Sequence, residues 1–187
     1  PMAHIGDASF YQKLSKTFPT NALILMEGVS DDHNLLTNKI SYQRMATSLG
    51  LAEQEKEFKP EAEMVRADVD VSVFSTNTID LLNLVMLVHG KGMNEQAMLQ
   101  LTQYSPPPHF EQELFDDLLK KRNRHLLEEI KTQLSEADDL IVPWGAAHIP
   151  EIAKEIQKNG FRLQESQKFM AIRFGHDGKK AKSSVGK

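Results

Sequence analysis

The chain contains no cysteine. Disulfides, thiolate-held zinc, iron–sulfur clusters and a thiol nucleophile are therefore excluded, and the redox compartment cannot be read. Long apolar runs are missing too. The longest, Leu81 to Val88, is interrupted by Asn83 and is too short to cross a bilayer. No basic start followed by an apolar stretch marks a signal peptide. There is no excess of positive charge: the net charge of -4 over 187 residues argues against holding nucleic acid by phosphate neutralisation. The phosphate loop GxxxxGK[ST], the GxGxxG fingerprint, HExxH and the G-x-S-x-G elbow are all absent. What remains is the mixture of a soluble globular protein, 40% apolar and 26% charged, of a length that suits one domain with one core.

Short apolar runs alternate with helical patterns, which predicts an α/β fold: a small central sheet, mostly parallel or mixed, flanked by helices. Asn21 to Val29 reads as one buried strand and Asp139 to Trp144 as another, with Pro143 near its end. Helices are expected over Ser41 to Leu51, closing at Gly50, and over Thr78 to His89, capped by Ser75 or Thr76. Further helices are expected over Asn94 to Tyr104, from about Phe110 to Ser135, and over Pro150 to Lys158, ended by Gly160. Phe161 to Phe174 holds final strand candidates, and Glu53 to Glu63 reads as a charged, solvated loop. The single domain spans 1–174, and 175–187 is a basic tail poor in apolar residues. The opening Pro1-Met2-Ala3-His4 has no strand before it, so a trimmed start is expected, with the first strand of the sheet missing. Such a start could have carried a signal or anchor, which leaves cytoplasm and periplasm both open.

Three polar residues fall where strands should hand over to loops. Glu27 closes the run NALILME before Gly28; His148 follows Gly145-Ala146-Ala147; His4 precedes a helix that should begin near Ser9. Open α/β sheets form their crevices at the carboxyl ends of strands. A helix N-terminus after each histidine favours the neutral, metal-binding ring. Ala3-His4-Ile5 with Asp7 and Ala147-His148-Ile149 with Glu151 repeat one another, which predicts an internal duplication. Either histidine could equally be a capping or core residue satisfied by a backbone carbonyl. On the long helix, Phe110, Leu114, Leu118, Leu126, Ile130 and Leu134 form a stripe in steps of four, and Arg122 interrupts it. A parallel row is interrupted by Asn123. A guanidinium buried there must meet a carboxylate, Glu27 or Asp68, or a bound anion. Asp68 and Asp70 precede a helix and read chiefly as turn residues, with a metal ligand as the other option. His33, His89, His109 and His176 read as surface residues, as do Arg124, His125 and Glu128.

Three elements taken together resemble one family: an apolar strand ending Met26-Glu27-Gly28; Arg122-Asn123 on a long helix; and Val142-Pro143-Trp144-Gly145-Ala146-Ala147-His148 leading into a helix and Gly160-Phe161. They are similar to the bacterial TraB/PrgY/GumN family, related to the Tiki metalloproteases and more distantly to erythromycin esterases and ChaN-like haem-binding lipoproteins. The likeness runs to about Phe174. It implies a pocket lined by two GxxH motifs, a glutamate and an arginine. Here these would be Gly145 to His148, Pro1 to His4 with proline in the glycine's place, Glu27 and Arg122.

The resemblance implies a metal-dependent, peptidase-like hydrolase acting on a peptide or small molecule. His4, His148 and Glu27 would hold a divalent ion, with Glu27 as third ligand or general base and Arg122 stabilising an oxyanion. Asp68, Asn123 and Gly145 would line the same pocket. A nitrogen-and-oxygen ligand set admits manganese, cobalt, iron or zinc; the Tiki likeness implies manganese or cobalt. The alternatives are a non-catalytic peptide-binding or regulatory protein of the TraB/PrgY type, haem binding of the ChaN type, and a carboxylate–histidine hydrolase without metal. Oligomeric state is left open.

Overall fold

A computed structural model describes residues 1–37 and 42–173. The expected helix start at Ser41, the last strand candidate Phe174, His176 and the basic tail 175–187 lie outside the described residues. The predicted α/β class is what the chain adopts. The first apolar run becomes strand β2 (Leu23–Met26), whose Ile24 and Leu25 are wholly buried. Near-continuous hydrophobicity of this kind belongs to a strand covered on both faces. It is the central strand of a parallel three-stranded sheet, with β4 (Glu63–Arg66) on one side and β5 (Leu140–Ile141) on the other. The register runs Leu23 to Glu63 and to Leu140, so all three strands point their carboxyl ends the same way.

A second, antiparallel pair joins β1 (Ile5–Gly6) to β3 (Ala52–Glu53). The N-terminus is thus not devoid of strand. Met2 also forms a parallel bridge to Gly145, its amide donating to the Trp144 carbonyl at 2.8 Å. This bridge lays the two histidine segments side by side, yet they fold differently. His4 leads into β1 and only then to α1 (Ala8–Ser15), whereas His148 stands directly at the start of α8 (Ile149–Lys158).

Two expectations are corrected. The charged stretch Glu53 to Glu63 is not a solvated excursion. It contains the last residue of β3, the single turn α3 (Gln54–Glu57) and the first residue of β4, with Glu53, Gln54, Phe58 and Ala62 all buried. Apart from Glu53, its charged residues are exposed or half-buried, and Phe58 and Ala62 anchor the stretch from within. The second correction is at 161–173, where no strand forms among the described residues; Leu163 and Met170 are exposed there. The remaining helices follow their caps. α2 (Gln43–Leu49) ends at Gly50. α4 (Thr76–Lys91) starts where the Ser75 side chain accepts from the Thr78 amide, and α5 (Glu95–Gln103) where Asn94 accepts from the Ala97 amide.

The long helix is a composite. α6 (Phe110–Phe115) passes into a π-helical turn over Asp116–Lys121 and then α7 (Arg122–Gln133). A stripe in steps of four drifts by about 40° per step on a helix of 3.6 residues per turn. The wider π turn takes back part of that drift, which keeps Arg122 on the inner side along with Leu126 and Ile130. The turn is also pinned from outside. Asp117, 1% exposed, accepts from the Ser75 amide at 2.9 Å, and Lys121 Nζ reaches Asp117 at 2.6 Å and the Val73 carbonyl at 2.7 Å.

Under the sheet, Leu23, Leu25, Ala67, Leu126, Ile130, Trp144 and Ile152 form one core cluster. Leu126 lies one turn beyond Arg122 and is fully buried. Leu126→Ala is expected to cost about 2–5 kcal/mol through lost burial and a residual cavity. Urea unfolding of the variant checks this. No helix among the described residues is long and apolar enough to cross a membrane.

Candidate functional site

Four side chains from four parts of the chain meet at the carboxyl end of the parallel sheet. Glu27 follows β2, Asp68 follows β4, His148 lies beyond β5, and Arg122 opens α7 directly after the π turn. Single π turns inside helices often mark functional positions. Arg122 is the hub. Its Nη2 donates to Asp68 Oδ2 at 2.6 Å and to Glu27 Oε1 at 2.9 Å, its Nε to Asp68 Oδ1 at 3.0 Å, and its Nη1 to the Leu118 carbonyl at 3.3 Å. The guanidinium predicted to need a carboxylate therefore has two. Side-chain exposure is 13% for Arg122, 6% for Glu27, 4% for His148 and 0% for Asp68, so these are ion pairs sheltered from solvent screening.

Backbone geometry completes the cluster. Gly28, at φ +146°, donates its amide to Asp68 Oδ2 at 2.9 Å, a backbone conformation that side-chain-bearing residues rarely adopt. The Val69 amide donates to the other Asp68 oxygen. Gly145 donates to Glu27 Oε2 at 2.6 Å, and a Cβ at Gly145 would stand 3.4 Å from that same oxygen. Small residues in the Gly145-Ala146-Ala147 stretch thus serve close approach to the carboxylate. Trp144 forms the floor. Fully buried, it donates its indole N–H to the Leu25 carbonyl at 2.9 Å. Its ring lies 5.4 Å from the Arg122 guanidinium and edge-on to His148 at 5.1 Å between ring centroids.

His148 is fixed by Asn123. Asn123 Nδ2 donates to Glu151 Oε2 at 2.6 Å, which turns Oδ1 toward the imidazole, 2.6 Å from Nδ1. Nδ1 must then carry a proton and donate it. Nε2 faces the cluster between a donor, Arg122 Nη1 at 3.3 Å, and an acceptor, Glu27 Oε1 at 3.4 Å. Unprotonated, it accepts from the guanidinium; protonated, it donates to the carboxylate. Both states of that nitrogen have a partner in place. This is the local requirement for a group that takes up and releases a proton.

The same fields act on Glu27. Burial alone would raise its pKa, but the His148 hydrogen bond, the Arg122 charge and the Gly145 amide outweigh it and hold the carboxyl down at about 2. Arg122 is likewise raised: burial opposes its charge, and the Asp68 and Glu27 carboxylates prevail. The sign for stability follows from linkage. A carboxyl lowered from 4.5 to about 2 contributes stability that is whole above the unfolded-state value and is lost as the pH falls toward about 2. That contribution is on the order of 3 kcal/mol. Glu27→Gln is therefore expected to flatten the acid limb of a stability–pH profile measured by urea midpoints. An unchanged limb would mean the carboxylate is not held in this way.

The metal set inferred from sequence does not assemble. Glu27 and His148 do meet, but the Arg122 guanidinium donates to Glu27 Oε1 and the Gly145 amide to the other Glu27 oxygen, so a positive group already faces this carboxylate. His4 is exposed and stacks flat on Tyr42, at 4.8 Å and 4° between planes. Among the described residues no group of three or more histidine, aspartate or glutamate side chains is placed to hold a metal ion. A cation there would stand against the positive charge of Arg122, so this donor set does not fit a metal.

Compared with protein-family models, curated proteins and solved structures, the chain matches none.

Of the residues singled out in the sequence, Glu27, Asp68, Arg122, Asn123, Gly145 and His148 come together, and His4 stays at the margin. Asp68, read chiefly as a turn residue, does accept the Val69 amide as turn aspartates do, but its principal partner is Arg122. Asp70 is the turn residue proper, its side chain accepting from the Ser72 amide. Two contributors were missed. In the sequence Glu151 stands out only as part of a repeat, although it lies one helical turn after His148 and so on the same side of the helix toward Asn123. Tyr42, just before α2, gave no signal beyond its aromatic character.

Proposed function

We propose that this protein is an acyl-bond hydrolase of the TraB-like type in which His148 is the general base. The observation that carries the reading is the placement of His148 Nε2 between Arg122 Nη1 and Glu27 Oε1, with Nδ1 locked by Asn123. In this reading His148 draws a proton from water, Glu27 stabilises the imidazolium that forms, and Arg122 faces the charge that develops on the carbonyl oxygen. Asn123 holds the ring in the tautomer that leaves Nε2 available. No step passes through a metal, since the donor set does not suit one. The substrate class is a carboxylic ester or a peptide.

A second reading has an observation of its own. Each charged group in the cluster is already paired within the chain, as expected of a structural lock beneath a peptide-binding surface. The two are separated by incubating the protein with a panel of esters and short peptides while following both binding and product. Turnover is expected. Saturable peptide binding with no product after long incubation would replace the enzymatic reading with the regulatory one.

A further inference from the structure

What His148 can do depends on which ring nitrogen carries the proton, and the charged cluster does not decide it. Nε2 faces a donor, Arg122 Nη1 at 3.3 Å, which favours a bare nitrogen, and an acceptor, Glu27 Oε1 at 3.4 Å, which favours a protonated one. The decision falls to Nδ1, which meets Asn123 Oδ1 at 2.6 Å. An asparagine amide has nearly the same shape either way round, with an acceptor at one end and a donor at the other. Turned over, Asn123 would offer an N–H to Nδ1, and the ring proton would pass to Nε2 and point at Glu27. The amide is held from outside the cluster. Asn123 is 2% exposed, and its Nδ2 donates to Glu151 Oε2 at 2.6 Å. An ionised carboxylate only accepts, so it binds the Asn123 amino group and repels the Asn123 oxygen.

Local structure explains why Glu151 stands there. His148 is the N-cap of α8, and Glu151 lies in the first turn, where the helix dipole favours an anion. In a capping box an acid at this position reaches back to the N-cap amide. Here the His148 amide already donates to the Gly145 carbonyl at 3.0 Å, and Glu151 turns to α7 instead. Leu126 and Ile130 of α7 share one core cluster with Ile152 of α8, which fixes Asn123 against the start of α8. We propose that Glu151, an exposed residue outside the charged cluster, is the positioning residue that selects the tautomer of His148, acting through the Asn123 amide. Its consequence for catalysis rests on the hydrolase reading above, whereas the place of the proton on the ring is a property of the protein alone.

The test puts a donor where the acceptor stands. In Glu151→Lys the ammonium can only donate, so Asn123 turns its oxygen outward and its N–H toward Nδ1. Two-bond proton–nitrogen correlation spectra of protein carrying isotope-labelled histidine, recorded where the ring is neutral, tell the two nitrogens apart. The His148 signals are those lost in His148→Gln. Wild type is expected to show a protonated Nδ1 and a bare Nε2, and Glu151→Lys the reverse. In that variant kcat on the best ester is expected to fall by about 100-fold, with KM little changed. Adding Asn123→Asp to Glu151→Lys supplies a carboxylate that accepts from both neighbours, which should restore the wild-type pattern and most of the rate. A folding fault neither inverts a tautomer nor is repaired in this way. An unchanged pattern in Glu151→Lys, a double variant that stays inverted, or a wild-type ring protonated at Nε2 would overturn the proposal. Inversion in a protein whose wild type hydrolyses no ester or peptide would leave the selection by Glu151 standing and remove the hydrolase reading.

Discussion

Arg122→Met is expected to destabilise the protein by about 3–5 kcal/mol, because it strands two carboxylates that pair with no other lysine or arginine among the described residues. The Asp68 side chain is wholly buried and that of Glu27 nearly so, and each accepts from the one guanidinium between them. Methionine restores the bulk and the apolar stem but leaves both anions to be neutralised by protonation. For a chain of this size the melting temperature should drop by about 10 °C. The loss should shrink at acid pH, where Glu27 is protonated in either state. It should also be non-additive. In the triple variant Arg122→Met, Glu27→Gln, Asp68→Asn, much of the stability is expected to return, since no unpaired charge remains buried. Additive losses across the three substitutions would mean that the groups do not act as one network.

His148→Ala carries the largest expected effect on activity, a fall in kcat of at least about 100-fold on any ester or peptide the protein hydrolyses. The substitution removes both the base and the group that Glu27 would stabilise on protonation. Asn123→Leu should follow it part of the way. With Nδ1 no longer held at 2.6 Å, the ring is free to turn, or to place its proton on Nε2, where it cannot accept from water. The Asn123 variant should therefore lose kcat with KM little changed, whereas a residue that merely shapes the pocket would move KM. Wild-type rates in His148→Ala would assign the cluster to structure alone.

Much of this arrangement was legible in the sequence, and for identifiable reasons. Asn21 to Val29 and Asp139 to Trp144 announced strands because their residues are apolar on both faces, and Glu27 stood out as the polar residue closing such a run. Arg122 was readable as buried because a cation cannot occupy a core stripe without an anion. What could not be read lies where local pattern and tertiary role part company. β4 is an edge strand with Met64 exposed, so its alternation conveys little, and the charges before it mask the buried Phe58 and Ala62. The π turn has no residue signature; it emerges from the pinning of Asp117 and Lys121 to the loop at Val73 and Ser75. His4 carries a metal-binding expectation through the family resemblance. The structure instead lays it across Tyr42, because the two segments, though neighbours, continue into different elements.

The most direct measurement is the initial rate of hydrolysis after the protein has been stripped of metal ions with a chelator and its metal content assayed. If His148, Glu27 and Arg122 do the chemistry, the stripped protein hydrolyses its best ester as fast as the untreated one. A rate that falls to background and returns only with added manganese or cobalt would place a cation, rather than the imidazole, at the centre of the reaction.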